Sequence, residues 1–577
     1  VAISDIVLYD RDRHVGPQTS GGLLAMTSFF LYFRIDPLSR LIAAFAILFY
    51  VLTAIYSREY MRGKQRAGQY YICLLLTLAA SLGAIFADNM IVFIVFWGFL
   101  GLLLYLLINF GRKERTSETA KKALITVGGT DVLMVFGIAL AWRLSGSIRM
   151  SEIHIGMTFG TAAMSYLCLA AGALAKAGSM PFHSWVPDTA EDAPVPVTAY
   201  LPASLDKLLG IYLLARLSLG IFRLSPALNS VLMMVGGLTI IAAVMMALVQ
   251  HDLKRLLGYH AVSQVGYMVL GIGTGNPVGI AGGLFHMLNH AIYKSCLFFC
   301  GGNIEKNAGT TNLENLGGLA KQMPVTFTAF LVAALAISGV PPLNGFASKW
   351  MIYQGVIEAA HSGSRLCIVW LVAALFGSAL TLASFMKVVH AVFLGRQSAR
   401  LAKKNVREVE TTMGIPPVIL AFLCVLFGVF AAGIPLRLFI LPSLGYPVFF
   451  PGVWNAGLAT ALLLAGILIG FFIYWLGVIS KTRRSETFIG GESLESNPEM
   501  RISGTEFYHT IRDLPGMKPL YGMAERRRFD PYDICSRATG GVYRIVSHLH
   551  NGILPTYLSW CLLGATILFV FLHGAAR

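Results

Sequence analysis

With 577 residues, 56% of them hydrophobic and only 13% charged, the chain has too little polar surface to cover a water-soluble fold of its size. That excludes a globular enzyme in free solution. The net charge of +16 does not call for nucleic acid, because basic loops beside anionic lipid produce the same excess.

Apolar runs of roughly 18 residues or more recur along nearly the whole chain, and a bilayer core takes about 20 helical residues to cross. Lipid offers the backbone no partners, so each run is a helix or part of a closed barrel. The runs are continuous rather than alternating, which rejects the barrel. The sequence therefore reads as an all-α polytopic membrane protein of about fourteen transmembrane helices. The expected spans are 40–57, 68–86, 89–110, 122–143, 159–180, 195–217, 228–249, 258–274, 279–303, 324–360 (broken), 366–395, 414–441, 453–479 and 554–574. The opening VAISDIVLYD is no signal peptide, and its initial Val implies an alternative start codon or clipping.

Basic residues follow the odd-numbered spans: Arg58, Arg62, Lys64 and Arg66; Arg112, Lys113, Arg115, Lys121 and Lys122; Lys254 and Arg255; Lys306 and Lys321; Arg396, Arg400, Lys403 and Lys404; Lys481, Arg483 and Arg484. The positive-inside rule places these loops in the cytoplasm of a cell inner (plasma) membrane and both termini outside. Residues 1–38 form an N-terminal segment and entry. Two halves follow at 39–221 and 222–396, then further spans at 397–479, a polar segment at 480–553 and a last helix at 554–577. Within the polar segment, YDICSRATGGVYRIVSHLHNGI has apolar residues at helical spacing, which suits a strap or amphipathic helix along a membrane face. The bland alternative is a surface loop.

No CxxC pair, metal-ligand set or nucleotide-binding glycine pattern stands out, so no cofactor is expected in this chain. What does stand out is charge inside the spans. An ionisable group in lipid costs several kcal/mol and needs a reason. Lys176 ends the fifth span, just before Pro181, which must bend or break the helix. Asp206 and Lys207 lie within the sixth span. His286, His290 and Lys294 are spaced i, i+4, i+8 in the ninth, on one face. Lys349 follows a second break at GVPPLNG, and Asp131 sits within the fourth span. Lys387 and His390 lie toward the end of the eleventh, within snorkelling reach of the surface. A lone lysine near a helix end commonly snorkels, and a lone buried histidine such as His183 is commonly structural. The ensemble is harder to dismiss, because broken helices belong where backbone lines a hydrated cavity.

The segments MPFHSWVPDTAEDAPVPVTAYL, ALVQHDLKRLLGYHAVSQVGYM, FHMLNHAIYKSCLFF and GVPPLNGFASKW follow one another in a familiar order. Over residues 35–480 the chain resembles the antiporter-like subunits of respiratory complex I, membrane-bound hydrogenases and multisubunit cation/proton antiporters. DKLLGIY with GFASKW, and the tail around GTEFYHTIRDLPGMKPLYG and LHNGILPTYLSWCLLG, look most like the large membrane subunit of the hydrogenase-4 and formate-hydrogenlyase type. The resemblance implies two inverted five-helix repeats with two broken helices. It also implies a mid-membrane proton relay. By motif position Lys176 matches the family's paired lysine, Lys207 the next relay lysine, and His286, His290 and Lys294 the histidine-rich central helix. Lys349 matches the lysine of the second broken helix, and Asp131 an acid on the helix before the first. Asp206, Lys387 and His390 are additional relay candidates. The chemistry would be proton or sodium translocation, with iron–sulfur clusters or other redox centres in partner subunits: further membrane subunits and a peripheral redox arm.

The chain departs from the family pattern where Ala87-Asp88-Asn89 is followed by FWGFLG, with Gly98 at the usual glutamate position. Asp131 is then the expected partner of Lys176, directly or through water. Two N-terminal helices of the family are not matched, and the polar tail is short for a very long lateral helix. Two other readings stay open: a subunit of a multisubunit cation/proton antiporter or inorganic-carbon uptake complex, and a non-conducting membrane scaffold, for which Gly98 is the best support. The charge alternation makes one prediction directly. A cysteine placed in the Arg396–Lys404 loop reacts with an impermeant thiol reagent only from the cytoplasmic side; labelling from outside contradicts the topology.

Overall fold

A computed structural model describes residues 32–111, 113–156, 160–361, 366–445, 448, 456–476, 505–550 and 552–575. Expectations resting on residues 1–31, on Arg112, and on Lys481, Arg483 and Arg484 lie outside these residues, as does most of the first third of the polar segment. The described chain is mostly helical. Seven of its helices are long and apolar enough to cross a membrane: Pro37–Tyr60, Ala67–Phe86, Met90–Ile108, Thr116–Ser145, Pro226–Leu248, Cys367–Leu394 and Thr411–Val429.

In chain order the first helices are α1 (Pro37–Tyr60), α2 (Ala67–Phe86), α3 (Met90–Ile108), α4 (Thr116–Ser145) and α5 (Thr161–Ala177). Asp36 starts α1 through a capping box: its carboxylate accepts from the Ser39 amide, and the Ser39 hydroxyl answers at the Asp36 amide. After α5 the chain breaks, then forms α6 (Trp185–Asp192), α7 (Val195–Tyr200), a π-turn and α8 (Asp206–Ala215). Strand β1 (Ile155–Gly156) pairs in parallel with β2 (Phe222–Arg223), Ile155 opposite Phe222. Next come α9 (Pro226–Leu248), α10 (Leu253–Gly273), α11 (Pro277–Ala308), α12 (Pro324–Ser338), α13 (Asn344–His361), α14 (Cys367–Val389) and α15 (Thr411–Val429). The remaining labelled helices are α16 (Ala456–Leu476), α17 (Met517–Glu525), α18 (Pro531–Leu549) and α19 (Leu554–Ala575).

The described chain divides into two compact units, Val1–Thr510 and Ile511–Arg577. In the second, the expected amphipathic stretch is the helix α18, started by Asp530, whose carboxylate accepts from the Tyr532 amide at 3.1 Å.

In the first unit, α11 is central and almost wholly buried. It packs against α7, α10, α12, α13 and α15. That explains why its apolar residues encircle it: a helix surrounded by protein has no polar face to show. The tyrosine hydroxyl of Tyr56 on α1 ties it further, donating to the Phe299 carbonyl at 3.1 Å and to Asn303 Oδ1 at 3.0 Å.

Both expected helix breaks are present, and they are built alike. At the end of α5, Gly178 has φ +75°, its amide donates to Ala175 O, and the Ser179 amide donates to Leu174 O. At the end of α12, Gly339 has φ +82°, its amide donates to Ala336 O, and the Val340 amide donates to Leu335 O. Each is a Schellman closure, and each needs glycine because the left-handed conformation is costly for a residue with a Cβ.

The second break is held from outside by α15. A Cβ on Gly428 would come within 2.5 Å of Leu343 C and 2.6 Å of Asn344 N, both backbone. Gly428→Ala must push α15 off the break, at about 1–3 kcal/mol. We expect a clear fall in thermal stability of the detergent-solubilised protein, whereas Gly128→Ala, where a Cβ meets nothing within 4 Å, changes little. Equal stability of the two variants contradicts this packing.

Candidate functional site

The breaks collect the buried charges. A helix end leaves its last carbonyls without intrahelical partners and partly negative. At the first break the Ala175 carbonyl accepts from Trp185 Nε1 at 3.0 Å. At the second, the Ile337 carbonyl accepts from Lys349 Nζ at 2.9 Å, and the same ammonium lies 4.8 Å over the Tyr267 ring. The interruption of the helix thus supplies what a buried lysine requires.

Lys176 is fully buried on the last turn of α5. Its ammonium donates to the Trp97 carbonyl at 3.4 Å and lies 4.8 Å from the Trp97 ring centre. Asp131, on α4, accepts from the indole Nε1 of Trp97 at 3.0 Å. The expected Asp131–Lys176 pair is therefore arranged through Trp97: the two residues meet on it rather than on each other. Gly98 is exposed, and a Cβ there would meet nothing within 4 Å.

Beyond the first break, Asp206 and Lys207 are buried on α8. Lys207 Nζ lies 5.3 Å over the Trp185 ring and close to Gly178 at the break. Among the described residues, Lys207 Nζ and Asp206 Oδ2 have no hydrogen-bond partner. The same holds for both ring nitrogens of His290 and for Lys294 Nζ, on α11. Lys294 is faced by the Phe298 and Phe385 rings at 5.9 and 5.7 Å. An unsatisfied buried polar group costs about 1–3 kcal/mol, more when charged. Several in one region, lined with donors and acceptors, are what buried water satisfies.

His286 is held differently from its two helix neighbours. Its Nδ1 is 2.9 Å from the Ser348 hydroxyl, and its Nε2 is 3.2 Å from Gln264 Oε1 and 3.3 Å from the Tyr293 hydroxyl. Ser348 is the residue before Lys349, so this bond joins α11 to the second broken helix. The structure brings together Lys176 and Asp131 on Trp97, and His286 with the α13 segment carrying Lys349. Lys387 does not snorkel. It is buried, and its ammonium caps the end of α9 by donating to Leu248 O at 2.6 Å and Gln250 O at 3.2 Å. His390 is exposed, one turn further on. His183 sits beside its own break, 3.3 Å from the Pro181 carbonyl.

Sequence reasoning missed three participants. Trp97 looked like packing. Gln264 is uncharged and drew no notice. His260 lies in the same stretch of α10, fully buried, with Nε2 2.8 Å from the Ser384 hydroxyl. The available signal was spacing: His260 and Gln264 are i, i+4 on one helix face.

Comparison with known proteins gives consistent results. The family model described as "NADH:quinone oxidoreductase/Mrp antiporter, TM" matches residues 87–381. The chain is 33% identical over 405 residues to "Na(+)/H(+) antiporter subunit A1" of Staphylococcus haemolyticus (strain JCSC1435), covering 66% of this chain and 50% of that protein. It is 30% identical over 479 residues to the protein of the same name from Staphylococcus aureus (strain bovine RF122 / ET3-1), covering 76% and 58%. The chain thus spans about half the length of the curated relatives it matches. Among solved structures, a chain of the Mrp complex from Dietzia sp. DQ12-45-1b aligns with TM-score 0.65 and 23% identity, over 71% of this chain and 84% of that one. A chain of the membrane-bound sulfane sulfur reductase, an archaeal respiratory membrane complex, aligns with TM-score 0.76 and 24% identity, over 93% and 89%. At these identities the likeness is one of fold.

The Trp97 arrangement is testable by stability. Trp97→Phe removes the donor to Asp131, and Asp131→Asn weakens the same bond, each at about 1–3 kcal/mol. The double variant should lose no more than the worse single one, as groups sharing one link do. Additive losses in thermal unfolding contradict the link.

Proposed function

The chain belongs to the NADH:quinone oxidoreductase/Mrp antiporter family of membrane subunits, and on that premise we propose that it translocates protons, or sodium ions, as one subunit of a redox-driven respiratory or hydrogenase-type complex. The observation that carries this reading is the set of buried titratable groups around two matching helix breaks: Lys176, Asp206, Lys207, His290, Lys294, His286 and Lys349. A proton relay requires titratable groups within reach of one another or of bridging water. In this reading Asp131, through Trp97, supplies the counter-charge that Gly98 cannot.

The matching Schellman closures favour two inverted five-helix repeats within about fourteen crossings, as broken helices at corresponding positions do in other transporters. The basic loops then face the cytoplasm, and the chain sits in the cell inner membrane. The sequence shows no nucleotide-binding or redox-ligand pattern, so in this reading the driving reaction falls to partners: other membrane subunits and a peripheral arm carrying iron–sulfur or other redox centres. The tail motifs favour the hydrogenase-4 and formate-hydrogenlyase type. In this reading the amphipathic α18 is part of a strap along a neighbouring membrane subunit.

A second reading has its own support. The relatives named Na(+)/H(+) antiporter subunit A1 favour a multisubunit cation/proton antiporter, without a redox arm. Purifying the complex through a tag on this chain separates the two. Co-purifying iron–sulfur subunits support the first reading, and small membrane subunits alone support the second.

For the relay itself, Lys294→Met and Lys349→Met in the purified, reconstituted complex should each cut coupled translocation about tenfold, or 1.4 kcal/mol of barrier, with subunit composition unchanged. Normal translocation in both variants contradicts the relay.

A further inference from the structure

The axis needs a route to the surface, and α14 carries an unassigned row of polar side chains. Ser378, Thr381, Ser384 and Lys387 recur every three residues, so each neighbours the next at steps of about 4.5 Å along the axis, and the row winds around the helix by about 60° per step. On its other faces the helix is apolar and exposed, with Phe376 and Leu382 outward. Thr381 donates to the Gly377 carbonyl of its own helix at 2.7 Å, and the other three reach neighbouring elements. The Ser378 hydroxyl is 2.8 Å from the Tyr267 hydroxyl and 2.6 Å from that of Tyr353. Tyr267 is the ring beneath the Lys349 ammonium. Ser384 meets His260, whose other nitrogen, Nδ1, is buried without a hydrogen-bond partner among the described residues. One turn along α10 from His260 stands Gln264, which meets His286.

The outer end of the row is also polar. Lys387 binds the carbonyls at the end of α9, and Glu506 lies close enough to act on it electrostatically. Glu506, His251 and Glu314 bring their side-chain nitrogen and oxygen atoms within 4.8 Å of one another, with His251 Nδ1 3.0 Å from Glu314 Oε1. This cluster is half-buried to exposed. The Tyr508 hydroxyl donates to the Ala383 carbonyl at 3.0 Å, which seats the Glu506 segment against α14.

We propose that this winding row of polar side chains on α14 lines an access column joining the buried axis to the surface, with His251, Glu314 and Glu506 at its mouth, Lys387 below them, and His260 as the inner station. The inference rests on the translocation reading and names the route that reading requires. Protons reach His260 by way of Lys387, Ser384 and intervening water. From there they pass along α10 to Gln264 and His286, or along α14 through Thr381 and Ser378 to the Tyr267 and Lys349 pair. His260 suits the inner station because one nitrogen is fixed on Ser384 and the other is left for exchange.

The test is thiol labelling of the assembled complex in membranes. Ser384→Cys and Thr381→Cys are nearly isosteric and should fold. Each should react with a small, charged methanethiosulfonate reagent at least about tenfold faster than Leu382→Cys, a neighbour on the outer face, over the background of the parent chain. Glu506→Gln, at the mouth, should slow labelling at Ser384→Cys by a cationic reagent. In the same preparations, His260→Ala should reduce translocation severalfold. Labelling at Ser384→Cys and Thr381→Cys no faster than at Leu382→Cys overturns the column, even if Lys294→Met abolishes translocation. Fast labelling at both sites, with Lys294→Met translocating normally, supports a hydrated column and counts instead against the translocation reading.

Discussion

A helix that ends inside a membrane protein leaves carbonyls and amides that lipid cannot satisfy, and the architecture of this chain depends on how two such ends are resolved. At Gly178 and Gly339 the backbone closes on itself by the same pair of hydrogen bonds. Each last turn also takes a side-chain donor from beyond the break: Trp185 shares the Ala175 carbonyl with the Gly178 amide at the first, and Lys349 takes the Ile337 carbonyl at the second. The breaks are therefore the reason a cation can reside there. An ammonium in lipid faces a large solvation penalty; an ammonium on a helix C-terminus has a ready-made, partly negative acceptor.

The buried groups differ in how completely they are satisfied. His286, Lys176, Lys349 and Lys387 have protein acceptors or partners at hydrogen-bond distance. Lys207, His290 and Lys294 have none among the described residues. A static scaffold gains nothing from the second kind, because each such atom lowers stability. A path for ions does gain, since open hydrogen-bond sites on titratable groups are free to bind and pass protons through water. The unsatisfied groups lie on α8 and α11, between the two broken helices in sequence; of the satisfied ones, Lys176, Lys349 and Lys387 sit at the breaks or near helix ends, and His286 lies within α11. These open sites are the main physical reason to favour transport over scaffolding.

Much of this was legible in the sequence. Gly-Ser-Met-Pro and Gly-Val-Pro-Pro announced both breaks, because proline and glycine punctuate helices by known mechanisms. The charged side chains inside apolar runs announced the axis, since their cost in lipid makes them conspicuous. Uncharged partners were not legible. Trp97 looks like any apolar anchor until its indole is seen on Asp131 and its carbonyl on Lys176. Gln264 and Ser384 matter only for what faces them across a helix interface, and single-chain periodicity carries no information about that. Lys387 was misjudged for the same reason: its position near a helix end suggested snorkelling, but the end of α9 lay within its reach. The crossings were also harder to count than hydropathy implied. α5 and α12 are shortened by their breaks, and α10 and α11 carry the polar residues of the axis.

If ions pass along this axis, Lys207, His290 and Lys294 are linked by water rather than buried dry. A cryo-electron microscopy map of the assembled complex, at a resolution that shows ordered solvent, tests it most directly. The account predicts a continuous chain of water from the first break, past Lys207 and His290, to Lys294. Density showing these side chains packed against apolar atoms, with no solvent between them, contradicts it.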